Sequence, residues 1–345
     1  MKKRIKCYVG TNSLRNSKGI YVLEVNIQTG ELEIVSFAEA DNSAYLYISK
    51  KRNCLYAVME SLEYQGLAGG GVAAYRIEGE RLTFLNSRYA YGGWPCHLSA
   101  DEERDTILVS VFRNGLLLLY DLEADGRIGK EKLIQRHLDP NGTASHIHAA
   151  ILTPDQRYLA VADCGLDRIY FYDADTYRKA FEWEGPAGCG PRQLTFSPDG
   201  KYLYMVSELS CQVFVFRYQP DCDEMIAVRQ KISTKREDGY EGLNFASAIH
   251  FHPSGKYLLT GNRGHNSIAI YTVDSGSGLI SLQGHTMLAG DHCREFCFTE
   301  DGSMLIIGIQ HTDIVQTFFF DADKGSLTWS GKEIAIPSPS CVVIE

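Results

Sequence analysis

Apolar residues in this chain recur in short strand-like runs separated by turn residues, and not at the spacing of a helix. The stretch 188–210, GCGPRQLTFSPDGKYLYMVSELS, shows the unit: one apolar run, a Pro-Asp-Gly turn and a second apolar run. Short runs bounded by Pro, Asp and Gly are typical of β-hairpins. The pattern therefore predicts two antiparallel strands joined by a tight turn.

This unit is repeated along the chain. Five further copies occur at 42–61, 95–114, 145–165, 246–265 and 293–312. The apolar residue just after each turn is Leu55, Ile107, Leu159, Leu203, Leu258 and Leu305, at spacings of 52, 52, 44, 55 and 47 residues. A second strand pair rich in Tyr, Phe, Val and Ile follows each copy. Four strands in a repeat of about 50 residues are the signature of a β-propeller blade.

The two ends of the chain predict a seventh blade. Residues 4–35 contain three strand-like runs, and the C-terminal SCVVIE supplies one more. A blade shared by both ends closes the ring and leaves no open sheet edge. We therefore expect an all-β fold in one domain over 1–345: a seven-bladed β-propeller with four antiparallel strands per blade. The atypical stretch 219–245 is interpreted as an insertion between two blades, with a lid beside a site as the alternative.

Equivalent repeat positions form rings around the channel of such a propeller. Six residues before each turn lie Ala44, Cys96, His148, Arg192, Ser247 and Arg294. Five residues after each marker lie Glu60, Phe112, Cys164, Glu208, Arg263 and Gln310. The start of one strand and the end of its antiparallel neighbour share a sheet edge, so both rings are expected at one face of the disc.

The residues in these rings predict a site at the channel mouth. Arginine recognises carboxylate or phosphate with paired donors, and a carboxylate beside a histidine can move a proton. The candidate catalytic residues are Glu208, His148, Arg192 and Arg263. The candidate substrate-binding residues are Arg294, His97, His146, His250 and His265. A small anionic substrate is expected.

Composition and charge exclude several other classes. The 345 residues carry a net charge of −9 and no basic cluster, which argues against nucleic acid as a partner. No signal-like or membrane-spanning apolar run is present, so no membrane partner is expected. Ten cysteines without a CxxC pair indicate reduced thiols and a cytoplasmic protein. His146 and His148 lack a clear third zinc ligand, so neither metal nor cofactor is expected.

Several motifs carry a family resemblance over nearly the whole chain. YVGT, GGWPCHLS, SHIHA, GPRQLTFSPDGKYLY, SELS, NRGHNSIAIY and CREFCF occur in that order. They resemble the seven-bladed propeller lactonases, a family that includes bacterial propeller-type 6-phosphogluconolactonases and fungal 3-carboxy-cis,cis-muconate lactonizing enzymes. The resemblance implies that the family's catalytic residues fall on His148, Arg192, Glu208 and Arg263. The chain departs from the family pattern at Ala248 and Phe112.

Three functions are compatible with these patterns. The first is hydrolysis of a sugar-acid lactone, with 6-phosphogluconolactone as the leading substrate. The second is the cycloisomerase reaction of a muconate-type diacid, which would use the same residues for lactone formation. The third is a propeller that binds a ligand or a protein without catalysis, because a fold alone does not establish a function.

Overall fold

Each predicted hairpin forms the inner half of a four-stranded blade. The structure is a computed structural model that describes residues 3–235 and 240–345, and no residue within these ranges is helical. Seven antiparallel four-stranded sheets form a β-propeller, which confirms the expected fold class.

The strands are numbered in chain order, beginning with three strands of the blade that both chain ends share. The first three strands are β1 (Arg4–Thr11), β2 (Gly19–Asn26) and β3 (Leu32–Glu39). Blade 1 contains β4 (Tyr45–Ser49), β5 (Cys54–Met59), a small hairpin of β6 (Glu63–Tyr64) and β7 (Leu67–Ala68), then β8 (Gly71–Glu78) and β9 (Arg81–Tyr89). Blade 2 contains β10 (Pro95–Asp101), β11 (Thr106–Val111), β12 (Leu116–Leu122) and β13 (Ile128–Arg136). Blade 3 contains β14 (Ile147–Leu152), β15 (Tyr158–Asp163), β16 (Arg168–Asp173) and β17 (Lys179–Glu184).

Three more blades and one terminal strand complete the ring. Blade 4 contains β18 (Pro191–Phe196), β19 (Tyr202–Ser207), β20 (Gln212–Tyr218) and β21 (Ile226–Ser233). Blade 5 contains β22 (Phe245–Phe251), β23 (Tyr257–Arg263), β24 (Ser267–Val273) and β25 (Ile280–Met287). Blade 6 contains β26 (Cys293–Phe298), β27 (Met304–Ile309), β28 (Ile314–Asp321) and β29 (Ser326–Ala335). The last strand is β30 (Pro339–Ile344).

The closing blade joins the two ends of the chain. Its strand order is β3-β2-β1-β30, and Cys7 pairs with Ile344 while Val9 pairs with Val342. The C-terminal strand is thus the innermost strand of a blade that the N-terminus begins, as the sequence pattern predicts.

The stretch 219–245 is more regular than an insertion. Its residues 226–233 form β21, the outermost strand of blade 4, which pairs with β20 from Gln212 to Tyr218. Residues 236–239 of this stretch lie outside the described part of the chain. The strand pair predicted after 188–210 includes the start of β21, and the rest of this outermost strand is half exposed and carries mixed polar residues.

Burial follows the position of each strand within its blade. The second strands β5, β11 and β27 are buried at every residue, because blades pack on both of their faces. The outermost strands, such as β3 and β17, are mostly half-buried or exposed. No helix long and apolar enough to span a membrane occurs in the described ranges.

A β-bulge interrupts the innermost strand of blades 2 to 6 at one repeated position. In blade 4, Pro191 pairs with Ser207 and Gln193 pairs with Val206, which leaves Arg192 as the extra residue. The same irregularity falls at Cys96, His148 and Arg294, and a similar one spans Ser247 and Ala248. Bulges redirect a side chain away from the regular alternation of a strand. The bulge therefore directs these residues toward the end of the channel.

Candidate active site at the channel mouth

A polar basin of about 120 Å³ lies at one mouth of the channel. Two sequence rings meet here, and each contributes four residues. The first ring supplies Cys96, His148, Arg192 and Arg294. The second ring supplies Glu60, Phe112, Glu208 and Arg263, and Trp94 completes the lining. The structure thus brings together Arg192, Glu208, His148, Arg263 and Arg294, which the repeat arithmetic selects.

Backbone contacts position Arg192 beside Glu208. The amide of Glu208 donates to the carbonyl of Gly190 over 2.8 Å. This hydrogen bond joins the end of β19 to the residue just before β18. The Asp167 carboxylate accepts from the amides of Gly188 and Gly190, both at 2.7 Å, and so fixes this loop from blade 3. Gly190 has φ +63°, and a Cβ there would lie 2.6 Å from the Leu209 side chain. This turn therefore requires glycine.

One oxygen of Glu208 is the electrostatic centre of the basin. Nε of Arg192 donates to Oε2 of Glu208 at 2.9 Å, and Nη2 of Arg263 lies 3.0 Å from the same oxygen. Nε2 of His148 lies 3.9 Å from it. The guanidinium groups also donate to blade 5 carbonyls: Arg192 to Ser247 at 2.5 Å and Arg263 to Ala246 at 3.1 Å. These side chains are therefore held in fixed positions.

Burial and charge determine the protonation states in the basin. Burial opposes ionisation of Glu208, but Arg263 and Arg192 hold the pKa of its carboxyl below the usual value. Burial, assisted by Arg192, Arg294 and Arg263, lowers the pKa of His148 well below 6.5. The pKa of Arg263 is lowered to about 10, mainly by burial and also by Arg192 and Arg294, against the opposing effect of Glu208. At neutral pH the carboxylate is thus ionised, the imidazole neutral and the guanidinium charged.

A second ion pair lies on another side of the basin. Nη2 of Arg294 donates to Oε2 of Glu60 at 2.7 Å, and both side chains are more than four-fifths buried. With Arg192, Arg263 and Glu208, the basin therefore contains three arginines and two glutamates. One positive charge remains in excess, which favours an anionic ligand.

One wall of the basin is aromatic. Phe112 lies edge-on to His148, with 5.8 Å between the ring centroids, and the Trp94 side chain also lines this wall. His146 stacks behind Phe112 at 4.4 Å with nearly parallel rings, and its Nδ1 contacts the Phe112 carbonyl at 3.0 Å. A ligand held by the arginines therefore faces an apolar surface on its other side.

The four other candidate binding histidines do not line the basin. His146 lies behind Phe112, and Nδ1 of His265 contacts the Ser267 hydroxyl at 2.7 Å. His97 and His250 lie deeper along the channel, where His97 packs on Tyr45 at 4.6 Å between rings. Their assignment as substrate ligands stays a prediction, and direct contact would require a substrate that reaches beyond the basin.

A polar cluster lies below the basin in the channel, where Glu295 is buried and His250 is partly exposed. Nε2 of His250 contacts Oε1 of Glu295 at 2.6 Å, and Nε2 of Gln193 donates to Oε2 of Glu295 at 3.4 Å. Burial lowers the pKa of His97 to about 4, so this ring is neutral at pH 7. Gln193 directly follows Arg192, and Glu295 directly follows Arg294. Each of these bulges therefore places one residue in the basin and the next residue in the channel.

Sequence reasoning did not select every residue of the basin. Glu60 occupies a ring position, but antiparallel pairing within its own repeat predicts no partner for it. Its partner, Arg294, belongs to blade 6. Trp94 precedes its strand, at a φ of +59°, and no periodic signal marks it. Glu295, in the channel below the basin, carries no signal in the sequence either, because regular alternation directs the neighbour of Arg294 away from the channel. Within the described ranges no cluster of three His, Cys, Asp or Glu side chains is arranged to hold a metal ion.

The fold and the basin define a class: a seven-bladed β-propeller with a polar, arginine-rich site at its channel mouth. The family model described as lactonase, 7-bladed beta-propeller, matches residues 6–344. The chain therefore belongs to the seven-bladed β-propeller lactonases, which confirms the family resemblance and the assignment to a family of lactone-hydrolysing enzymes.

Individual relatives agree with this membership. A 6-phosphogluconolactonase of Bacillus subtilis (strain 168) is 30% identical over 345 residues, and the match covers 97% of each chain. The crystal structure of a putative 6-phosphogluconolactonase from Bacteroides fragilis has a TM-score of 0.89 at 27% identity, covering 100% of this chain and 98% of that one. The structure of a periplasmic gluconolactonase from Pseudomonas aeruginosa has a TM-score of 0.92 at 25% identity, covering 99% of each.

Proposed function

We propose that this protein hydrolyses a sugar-acid lactone in the channel-mouth basin, with 6-phosphogluconolactone as its substrate. The observation that carries the proposal is the single Glu208 oxygen shared by Arg192 and Arg263, with the neutral ring of His148 beside it. The 6-phosphogluconolactonase of Bacillus subtilis, similar over nearly the full length, supports the choice of substrate.

The arginines have two tasks in this proposal. The excess positive charge of the basin attracts an anionic substrate, and a guanidinium donates two parallel hydrogen bonds to a phosphate. When water attacks the lactone carbonyl, negative charge develops on the carbonyl oxygen. Donors already fixed by Glu208 and by the carbonyls of Ser247 and Ala246 stabilise that charge without reorganisation.

The lowered pKa values suggest which group moves the proton. His148 is unprotonated at neutral pH and can accept a proton from the attacking water. Glu208 already receives two guanidinium groups and is a weaker base, so its role is to orient them and to stabilise the transient imidazolium. The carbonyl carbon gains the water oxygen, the ring C–O bond breaks, and His148 returns its proton to the departing ring oxygen. The product carboxylic acid then ionises.

Arg192→Ala is the direct test of the proposal. We expect freshly generated 6-phosphogluconolactone to be hydrolysed above the spontaneous rate by the wild type and about 100-fold more slowly by the variant. The matched control is Arg217→Ala, an exposed arginine of the same blade, which should retain full activity. Equal rates for Arg192→Ala and wild type would refute the site.

Substrate comparison separates the lactone class from the phosphate. Glucono-δ-lactone should be hydrolysed with a higher KM if the phosphate is recognised, and equally well if it is not. A wild type that is inactive on both lactones but converts 3-carboxy-cis,cis-muconate would reassign the enzyme to the cycloisomerase reaction. Failure with all three compounds would leave a binding propeller.

The proposal also includes a cytoplasmic location. All ten cysteines are free, and nine of them are buried or partly buried, which fits a compartment that keeps thiols reduced. Cell fractionation with an antibody to the chain tests this assignment, and recovery with the periplasmic or secreted proteins would contradict it.

A further inference from the structure

A second concave surface lies on the side wall of the propeller, between blades 2 and 3. This lateral groove is bounded by β13 on one side and by β16 and β17 on the other, and its volume is about 440 Å³. The groove and the basin have no lining residue in common. In some neighbouring blades the outermost strands pack together, as β3 does with β9 and β25 with β29. The outermost strands of blades 2 and 3, β13 and β17, do not pack this closely, and the groove lies between them.

The lateral groove concentrates positive charge on an acidic protein. Arg136, Arg168, Arg178 and Lys179 line it, and Glu182 is its one carboxylate, whereas the whole chain has a net charge of −9. Nζ of Lys179 contacts Oε2 of Glu182 at 2.6 Å, and Arg168 lies 3.9 Å from the same side chain and 3.6 Å from Oε2 of Glu184. No carboxylate of the described residues lies within 4.0 Å of Arg136 or Arg178. Two exposed guanidinium groups are thus available to a ligand.

A rigid hydrogen-bonded floor supports these cations. The Tyr172 hydroxyl contacts Nε2 of the buried His137 at 2.6 Å, and Nδ1 of His137 lies 3.4 Å from Oδ2 of Asp163. Burial opposes ionisation of Asp163, but hydrogen bonds from His137, Ser145 and the His146 amide lower its pKa. Nε of Arg168 is also buried and has no hydrogen-bond partner among the residues described. A site fixed in advance loses little entropy when a ligand binds.

We infer that the lateral groove binds a small phosphorylated molecule with two or more negative charges. Four cations against Glu182 and the neighbouring Glu184 leave an excess of two positive charges, which a single carboxylate ligand would not match. Arginine pairs well with phosphate oxygens, and the groove volume is that of a small-molecule site. A long polyanion such as nucleic acid is disfavoured, because the net charge of −9 on the chain repels it.

Pyrophosphate is the probe for this site, and isothermal titration calorimetry at low salt is the measurement. We expect the double variant Arg136→Ala, Arg178→Ala to bind pyrophosphate at least about tenfold more weakly than the wild type, because it loses two charge-assisted contacts. Both residues are exposed, so the variant should fold and keep its lactonase activity. The matched control is the double variant Arg81→Ala, Arg229→Ala, which removes two exposed arginines elsewhere and should bind within about twofold of wild type.

Arg192→Ala distinguishes the groove from the basin, because it alters only the basin. Pyrophosphate affinity that is retained in Arg192→Ala and reduced in the groove variant supports the inference, whatever the lactonase assay shows. Affinity that is lost in Arg192→Ala and retained in the groove variant overturns it, as does the absence of binding by the wild type. A glutamate-rich peptide that binds through Arg136 and Arg178 when pyrophosphate does not would also overturn it, in favour of a protein-docking surface.

Discussion

Arg294 and Glu60 are 234 residues apart in sequence, yet the guanidinium of one donates to the carboxylate of the other over 2.7 Å. Arg294 belongs to blade 6 and Glu60 to the end of the second strand of blade 1, and the closing blade lies between them. This ion pair therefore spans the blade that joins the two chain ends, and it lines the basin at the same time.

We predict strong coupling between these two residues. Arg294→Gln or Glu60→Gln alone leaves a buried charge without its partner and should cost about 3 kcal/mol of unfolding free energy. The double variant removes both charges, so it should cost clearly less than the sum of the single variants. Urea denaturation of the four proteins measures this cycle. If the unfolding free energies lost by the two single variants add up to the loss in the double variant, water and not the partner residue compensates each charge.

Glu208→Gln should impair catalysis strongly, although the change is conservative. The amide retains the size of the side chain but no longer neutralises Arg192 and Arg263, which lose the shared acceptor that orients them. We expect kcat to fall at least about 100-fold. Steady-state kinetics on the lactone tests this, with Glu224→Gln, an exposed glutamate of blade 4, as the control. Full activity in Glu208→Gln would remove Glu208 from the mechanism.

His148→Asn should lower kcat about 100-fold or more and change KM little, because the ring is proposed to move the proton and not to hold the substrate. An effect confined to KM would assign His148 to binding instead.

The pH profile of the wild type provides a separate check on His148. Its pKa lies well below 6.5, so the base remains unprotonated as the pH falls from 8 through 6.5. We therefore expect kcat/KM to remain level over that range and to decline only at lower pH. A decline centred at or above pH 6.5 would exclude a histidine in this environment as the base.

Acid should destabilise the fold through its buried histidines. The pKa of His97 is about 4 in the folded protein and 6.5 in the unfolded chain. Between these values the unfolded chain binds the extra proton, so the free energy of unfolding decreases as the pH falls, by up to about 1.4 kcal/mol per pH unit. The variant His97→Phe should reduce this slope, because it removes the group that takes up the proton on unfolding. Denaturant titrations at several pH values measure both slopes.

The sequence was sufficient to predict the propeller and much of the basin because the repeats align equivalent positions. Arg192 and Glu208 lie in one hairpin, so antiparallel pairing alone predicts their contact. Arg294 and Glu60 belong to different repeats, and only the curvature of the ring brings them together. The location of His97 and His250 below the basin depends on bulges, which shift register by one residue and leave no mark in the apolar pattern.

The closing blade has a consequence for how the chain can be rearranged. Because β1 and β30 are hydrogen-bonded neighbours, the first and last strands of the described chain lie side by side, with Cys7 opposite Ile344. A short linker between the ends and a new opening in an exposed turn between blades would give a circular permutant with the same seven blades. In contrast, removal of the last six residues would take away the innermost strand of a blade, and with it Ser340, which lines the channel beneath the basin.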